Sequence, residues 1–356
     1  MRAIDVHTHV TPQRFRDAVA GGGEWHGLTS ATGELEIPKF SLGAADRVAE
    51  MDEMGVAVQI LTPNTGFYCY DRAPDDARTI ARECLDELAE MRGEFPDRFE
   101  IAGTVPMQDV SVAIAELEHA MRERGACGVM VDDHVNGQTW DEPQFRPFWK
   151  AAEELGAVVL FHQAGSTMVD QRTDRYALSN SIGNLVERAM SFGTLVFGGV
   201  IDEFPRLRLC LCHAGGYVAF GIARMDKAWR AGKEGIPGFE DAALNLERPP
   251  SDYLASFYYD CCTHSPETLR FLIDTVGIDQ VVFGTDYPAK MILDDTVDWI
   301  NGLDALESRE KDAILFENPA RMLGRATQSS ESEPRAGVAT RSPAPRGEPD
   351  PEPSAP

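Results

Sequence analysis

Two histidines one residue apart, His7 and His9 in Ile4-Asp5-Val6-His7-Thr8-His9, are the first residues of this chain placed to do chemistry. An extended strand alternates its faces with period two, so both imidazoles point one way while Val6 and Thr8 point the other. A pair of imidazoles on one face, at one end of a strand, can reach a single divalent cation. Further polar residues end apolar runs elsewhere. His162 closes Val158-Val159-Leu160-Phe161, His213 closes Leu209-Cys210-Leu211-Cys212, and Asp286 closes Val281-Val282-Phe283-Gly284-Thr285. His134 follows Val129-Met130-Val131-Asp132-Asp133, just past another such run. Alone, each reads as a hydrogen-bonded loop residue; their joint occurrence reads as a donor set. Three neutral imidazoles and one carboxylate suit a borderline ion such as zinc, with manganese as the other candidate, and leave room for water.

The elements that must position these residues alternate along the chain. Strand-length apolar runs fall at Ala3–His9, Val56–Leu61, Phe99–Val105, Gly128–Asp132, Ala157–His162, Leu207–His213, Ser256–Asp260 and Gln280–Asp286. Between them lie helical patterns at Ala44–Met54, Asp75–Arg92, Val110–Arg124, Glu142–Leu155, Leu185–Ile201, Tyr217–Arg230 and Pro266–Val276, with a last one at Arg309–Leu323. In Val110–Arg124 the residues Ile114, Leu117 and Met121 recur at helical spacing. Gly125, Gly156 and Gly277 each follow a helix and precede a strand. Eight such units predict an α/β (β/α)₈ TIM barrel spanning residues 1–324. A doubly wound open sheet would want a glycine-rich phosphate loop after the first strand; Gly21-Gly22-Gly23 follows no apolar strand and reads as a plain loop. In a barrel, a polar residue at the C-terminal end of a strand lies at the mouth, where all eight strand ends converge. The long connections, Gly21 to Phe40 and Gln163 to Pro205, leave from that same face. From about Arg325 onward the chain turns to Ser, Pro, Glu and Arg, and residues 325–356 read as a disordered tail.

Composition narrows the function classes. Among 356 residues there are 33 basic against 58 acidic ones, a net charge of −25, which argues against nucleic acid or an anionic membrane as partner. No apolar run approaches the roughly 18 residues that span a bilayer. Seven cysteines without a C-x-x-C pattern read as reduced thiols of a cytoplasmic protein.

The ordered set of motifs resembles the amidohydrolase superfamily, and within it the branch of aminocarboxymuconate-semialdehyde decarboxylase and its relatives. The resemblance runs from Ile4 to about Leu323. It rests on the His7-Thr8-His9 stretch, Met51-Asp52-Glu53-Met54-Gly55-Val56, Thr104-Val105-Pro106-Met107-Gln108, Gly128-Val129-Met130 with His134-Val135-Asn136, and Gly198-Gly199-Val200 with Phe204-Pro205. Cys212-His213-Ala214-Gly215-Gly216 and Gly284-Thr285-Asp286-Tyr287-Pro288 are its most specific pieces. The resemblance implies a barrel in which His7, His9, His162 and Asp286 bind one metal ion. It places His213 beside the metal's water as a catalytic base or proton donor, with Asp286 able to shuttle a proton as well. Asp132 and Asp133 stand where two-metal relatives carry a modified lysine, which favours a single ion. The chemistry implied is non-oxidative loss of CO₂ from an unsaturated or aromatic acid; the same parts could hydrolyse an amide, lactone or ester. A catalytically silent binding barrel is the reading from another class.

Departures from the family pattern touch the substrate side. The family's arginine after strand one has no counterpart between Glu24 and Phe40, where Lys39 is the only cation. Gln163-Ala164-Gly165 replaces proline, tryptophan and aspartate after the strand-five histidine, and Ala289-Lys290 replaces phenylalanine after Asp-Tyr-Pro. The metal machinery is therefore expected with a different substrate, a small carboxylic acid. Lys290, His134, Tyr287 and Tyr176 are the candidates to contact it from this chain. The resemblance makes Arg224 a contact to the neighbouring subunit's site, and so implies a homodimer.

Overall fold

The computed structural model describes residues 3–29, 38–164, 168–169, 172–293 and 295–325; of the expected tail 325–356, all but Arg325 lies outside them. Eight parallel strands follow one another around a barrel in chain order. They are β1 (Ala3–Val10), β2 (Val56–Pro63), β3 (Phe99–Gly103), β4 (Gly128–Val131), β5 (Val158–Phe161), β6 (Arg208–Leu211), β7 (Phe257–Asp260) and β8 (Val281–Val282). The barrel closes where the chain after β8 meets β1. Val6 N–H donates to Phe283 O at 2.9 Å, Asp286 N–H to His7 O at 2.9 Å, and His9 N–H to Tyr287 O at 2.8 Å. Asp5 adds a side-chain tie, accepting from the Thr285 hydroxyl at 2.6 Å and its N–H at 3.1 Å.

The strands are mostly apolar because a parallel barrel buries both faces, one against helices and one inside. Among the polar residues of β1, His7 and His9 turn to the site and Asp5 to the closing seam. All eight residues of β1 are buried. Register carries the site: Val131 pairs with Phe161 and Phe161 with Leu211, so the ends of β4, β5 and β6 come level and deliver Asp132, His162 and His213 to one rim. Gly284 is required by the same closeness, since a Cβ there would stand 2.8 Å from Asp260 Cβ and 2.9 Å from His7 Cβ.

The helices coat the outside. Pro266–Val276 falls where periodicity places it, capped by Ser265, whose side chain accepts from Thr268 N–H. The pattern read as one helix over Leu185–Ile201 divides into Asn184–Phe197 and Val200–Glu203. Gly199 separates them at φ +76°, left-handed backbone that a helix interior cannot hold. A helix at Gln13–Val19 carries no comparable apolar pattern, burying only Phe15 and Val19. Those two pack with Trp25, Leu28, Phe67, Ile80 and Cys84 into a small separate core under the loop that follows β1. The rings of Trp25 and Phe67 are spent there on packing.

Candidate metal centre and its surroundings

The strand ends bring four imidazoles around one carboxylate. Asp286 Oδ1 lies 3.1 Å from His9 Nε2, 3.3 Å from His7 Nε2 and 3.8 Å from His162 Nε2. His213 Nε2 stands 3.7 Å from Asp286 Oδ2. Ligand atoms of His7, His162, His213 and Asp286 all fall within 4.8 Å of one another, and His9 Nε2 is 3.2 Å from His7 Nε2. His7, His9, His162 and Asp286 are buried.

Hydrogen bonds on the far side of each ring fix which nitrogen carries the proton. His7 Nδ1 donates to Asp260 Oδ2 at 2.7 Å. His162 Nδ1 faces the Gln163 carbonyl at 3.0 Å, which only accepts. Thr62 gives its hydroxyl proton to Thr8 O at 2.5 Å, so its oxygen accepts from His9 Nδ1 at 3.3 Å. Each of the three rings therefore turns a bare Nε2 lone pair towards Asp286. Three lone pairs and a carboxylate converging in a buried space repel one another unless a cation sits between them. His162 Nε2 has no hydrogen-bond partner in the structure, as a ligand atom held for a metal would not. The donor set thus fits a divalent ion.

The electrostatics agree. Burial pushes His162 well below the ordinary imidazole range and lowers His9 too, which keeps both neutral. Burial raises the energy of a charged Asp286, but the surrounding imidazoles, His7 foremost, hold its carboxyl well below the usual range. On His7 burial opposes charge, while the Cys212 sulfur and the Asp286 and Asp260 carboxylates more than offset it and raise its pKa. A field that draws a proton to His7 draws a metal cation to the same place.

Asp260 is the residue that sequence reading passed over. Besides holding His7, it accepts from His213 N–H at 2.9 Å, Ala214 N–H at 2.7 Å and Cys262 N–H at 3.1 Å. It ends an apolar strand, as His162 and Asp286 do, and that signal was present. His213 sits in the turn so held, at φ +55°. Its Nδ1 has no partner, and 3.7 Å from its Nε2 to Asp286 leaves space between them.

Asp132 turns Oδ1 to the amides of Asp133 at 2.7 Å and Ala164 at 3.2 Å. It belongs to neither group of described residues able to share a metal ion. Burial, with the Asp133 carboxylate beside it, pushes its pKa up to about 7. Asp133 instead pairs with the fully buried Arg188.

The remaining sequence candidates fall at varied distances from the cluster. His134 lines a cavity next to the metal site. Lys290 and Arg224 are exposed, and Tyr176 is largely exposed, on surfaces outside the walls of the metal cavity. Tyr287 is buried and turned away: its hydroxyl donates to Glu50 at 2.8 Å, and Arg47 lies 4.8 Å over its ring. Lys39 is likewise engaged with Glu50, at 2.6 Å. His26, His119 and His264 pair with Glu83, Glu123 and Cys262, apart from the cluster.

The metal cavity measures about 290 Å³. Its described walls are His9, His162, His213 and Asp286 with Asn64, Thr65, Gln163, Ser179, Asn180, Asn184 and a few apolar residues, and no lysine or arginine is among them. No helix among the described residues is long and apolar enough to cross a membrane.

Comparison with known proteins places this geometry. The chain is 30% identical over 298 residues to 2-amino-3-carboxymuconate-6-semialdehyde decarboxylase of Dictyostelium discoideum, covering 80% of this chain and 81% of the relative. Among solved structures, one of 2,6-dihydroxybenzoate decarboxylase complexed with 2,6-dihydroxybenzoate and another of 2,6-dihydroxybenzoate decarboxylase from Rhizobium are each 26% identical with a TM-score of 0.75, over 91% of this chain and 99% of theirs. A dihydroxybenzoic acid decarboxylase from Polaromonas sp. JS666, solved with bound manganese and 2-nitroresorcinol, shares the fold at 23% identity and a TM-score of 0.75, over 91% and 98% of the two chains. The amidohydrolase family model matches residues 4–325, from the first strand to the last described residue. With the barrel and its histidine–aspartate rim in place, that match makes the chain a member of the amidohydrolase family.

Proposed function

We propose that this protein is a mononuclear metal-dependent carboxy-lyase that removes CO₂ non-oxidatively from a small unsaturated or aromatic acid. The convergence of three histidine lone pairs on Asp286 is the observation that carries it. His7, His9, His162 and Asp286 would hold the ion. Nitrogen-rich donors favour zinc, while the manganese in a structural neighbour makes manganese the ion to test beside it. Such an ion, when bound, supplies positive charge that orients an acid and disperses the negative charge that develops as the carbon–carbon bond breaks.

The chain's own groups supply the rest. His213, held by Asp260 through its main chain, presents Nε2 to the space beside Asp286. As the bond to the carboxyl carbon breaks, its electron pair stays on the substrate carbon, and a proton from His213 Nε2 satisfies it. Asp286, held ionised by the imidazoles, stays an acceptor, and His213 regains its proton from water admitted as the CO₂ leaves. Burial of the cluster excludes water that would compete as proton source. We read the protein as cytoplasmic, consistent with seven free cysteines, and as a homodimer in which Arg224 of one protomer reaches the partner's site. Arg224 stands exposed on the helix Val218–Lys233, one turn beyond the exposed Phe220, which supports that placement.

Protein loaded with zinc or manganese should release CO₂ from members of a panel of hydroxybenzoates and unsaturated diacids. Chelation should abolish the activity, and His213→Asn should lower kcat by about 100-fold or more, the size expected for a lost general acid. Acid release from amides or lactones, without CO₂, would overturn the lyase reading in favour of a hydrolase. Protein that retains no metal and gains nothing from added zinc or manganese would overturn the metal reading in favour of a binding barrel.

A further inference from the structure

A second cavity adjoins the metal cavity and shares Thr65 and Ala164 with it as walls. It is the larger, about 720 Å³ against 290 Å³. The smaller one is at the low end for a ligand pocket, with room for an aromatic ring and its carboxylate. A longer substrate has to continue past Thr65 and Ala164.

Each cavity carries a buried polar group without a partner. In the metal cavity it is the Gln163 side chain, 4% exposed, whose Nε2 finds no acceptor. A buried amide donor left unpaired costs about 1–3 kcal/mol, and an oxygen of a carboxylate lying in the cavity would satisfy it. In the larger cavity it is Tyr70, 7% exposed, whose hydroxyl has no partner. Asp132 lines the same space, at 5% exposure, and commits only Oδ1 to the two backbone amides.

The charge facing the larger cavity is negative. Asp133 is neutralised by Arg188, leaving Asp71, Glu187 and, above about pH 7, Asp132 against Arg72. Arg72 spends its guanidinium on the carbonyls of His26 and Gly27, at 2.7 and 3.0 Å. Leu28, Tyr68 and Met190 give the cavity an apolar side. A ligand complementary to both cavities has an oxyanion at one end, an apolar body, and a hydrogen-bond-donating cation at the other.

We propose that the substrate is an elongated amino acid. Its carboxylate lies in the metal cavity against Gln163, and its protonated amine lies in the adjoining cavity against Asp132 and the Tyr70 hydroxyl. This deepens the metal-site reading above and rests on it.

Two probes with the same head separate the ideas: 4-(3-aminopropyl)benzoate and 4-butylbenzoate, each titrated calorimetrically into the manganese-loaded full-length protein. The amine should bind at least about tenfold more tightly, the worth of one charge-assisted hydrogen bond. Asp132→Asn should abolish that preference, Tyr70→Phe should reduce it, and Asp132→Glu should keep part of it, which separates lost charge from lost folding. Gln163→Leu should weaken both probes alike. Equal affinities in the wild type, or a preference that survives Asp132→Asn, would overturn this inference and leave the metal site standing. Failure of the protein to retain manganese through desalting would overturn both.

Discussion

Asp260 serves several groups at once: it fixes the tautomer of His7 and holds the main-chain amides that seat His213 and Ala214. Its pKa expresses this. Burial alone would raise it, but the His7 contact foremost holds it below the ordinary carboxylate range. Asp260→Asn keeps the volume and removes the acceptor that pins His7 Nδ1–H. Metal affinity, read by competition with a chelator, should fall about 10- to 100-fold, the usual cost of losing the partner of a metal-bound imidazole. Affinity unchanged within threefold would mean His7 is not a ligand. Asp132 makes the opposite case. Its folded pKa of about 7 exceeds the ordinary carboxyl value of 3.8, so the native protein holds a proton there that the unfolded chain has lost. Stability from this group is therefore full at low pH and declines as pH rises from about 4 to about 7. In Asp132→Asn, whose Oδ1 can keep both amide bonds, that decline should vanish. Denaturant midpoints of the two proteins between pH 4.5 and 8 measure it.

At the scale of elements, β4 and the helix Asn184–Phe197 are joined by the Asp133–Arg188 ion pair, both side chains fully buried, with the Ser191 hydroxyl donating to Asp133 Oδ1 at 2.6 Å. A buried carboxylate left without its cation is costly. Arg188→Met should destabilise by about 3–5 kcal/mol. Adding Asp133→Asn should recover part of that, and a double mutant no better than the single would show that packing, not charge, was lost. Sequence alone could not pair these two residues, because a long connection separates them and nothing around either marks the other. The strands were legible for the opposite reason. Burial on both faces leaves most of them apolar runs, and the polar residue that ends such a run marks the rim, which is how His162, His213 and Asp286 stood out. The helix at Gln13–Val19 was not legible, being too short to show a period. The substrate side was the least legible, because Gln163 and Tyr70 matter through partners they lack, and a missing partner leaves no trace in a sequence.

At the scale of the molecule, a chain of net charge −25 repels its own copies, so self-association needs a surface that offsets this. One candidate on the described surface is an apolar groove. Phe220 is 81% exposed and Phe271 is 47% exposed, and with Tyr217, Leu185 and Leu272 they line it. Arg224 stands one helical turn from Phe220, on the same face. If this face meets its symmetry mate, Phe220→Glu should give a monomer by light scattering without lowering the unfolding temperature of the protomer. Added salt should strengthen the wild-type dimer by screening repulsion across an apolar contact. Arg224→Ala should stay dimeric yet lose activity, and so should His162→Ala. Unfolded together and refolded as a mixture, the two inactive proteins should regain activity, since a mixed dimer has one site with an intact His162 and an Arg224 supplied from across the interface. Dimers that exchange subunits and recover nothing would place Arg224 outside the partner's site, and would leave the apolar face to hold the copies together without completing either centre.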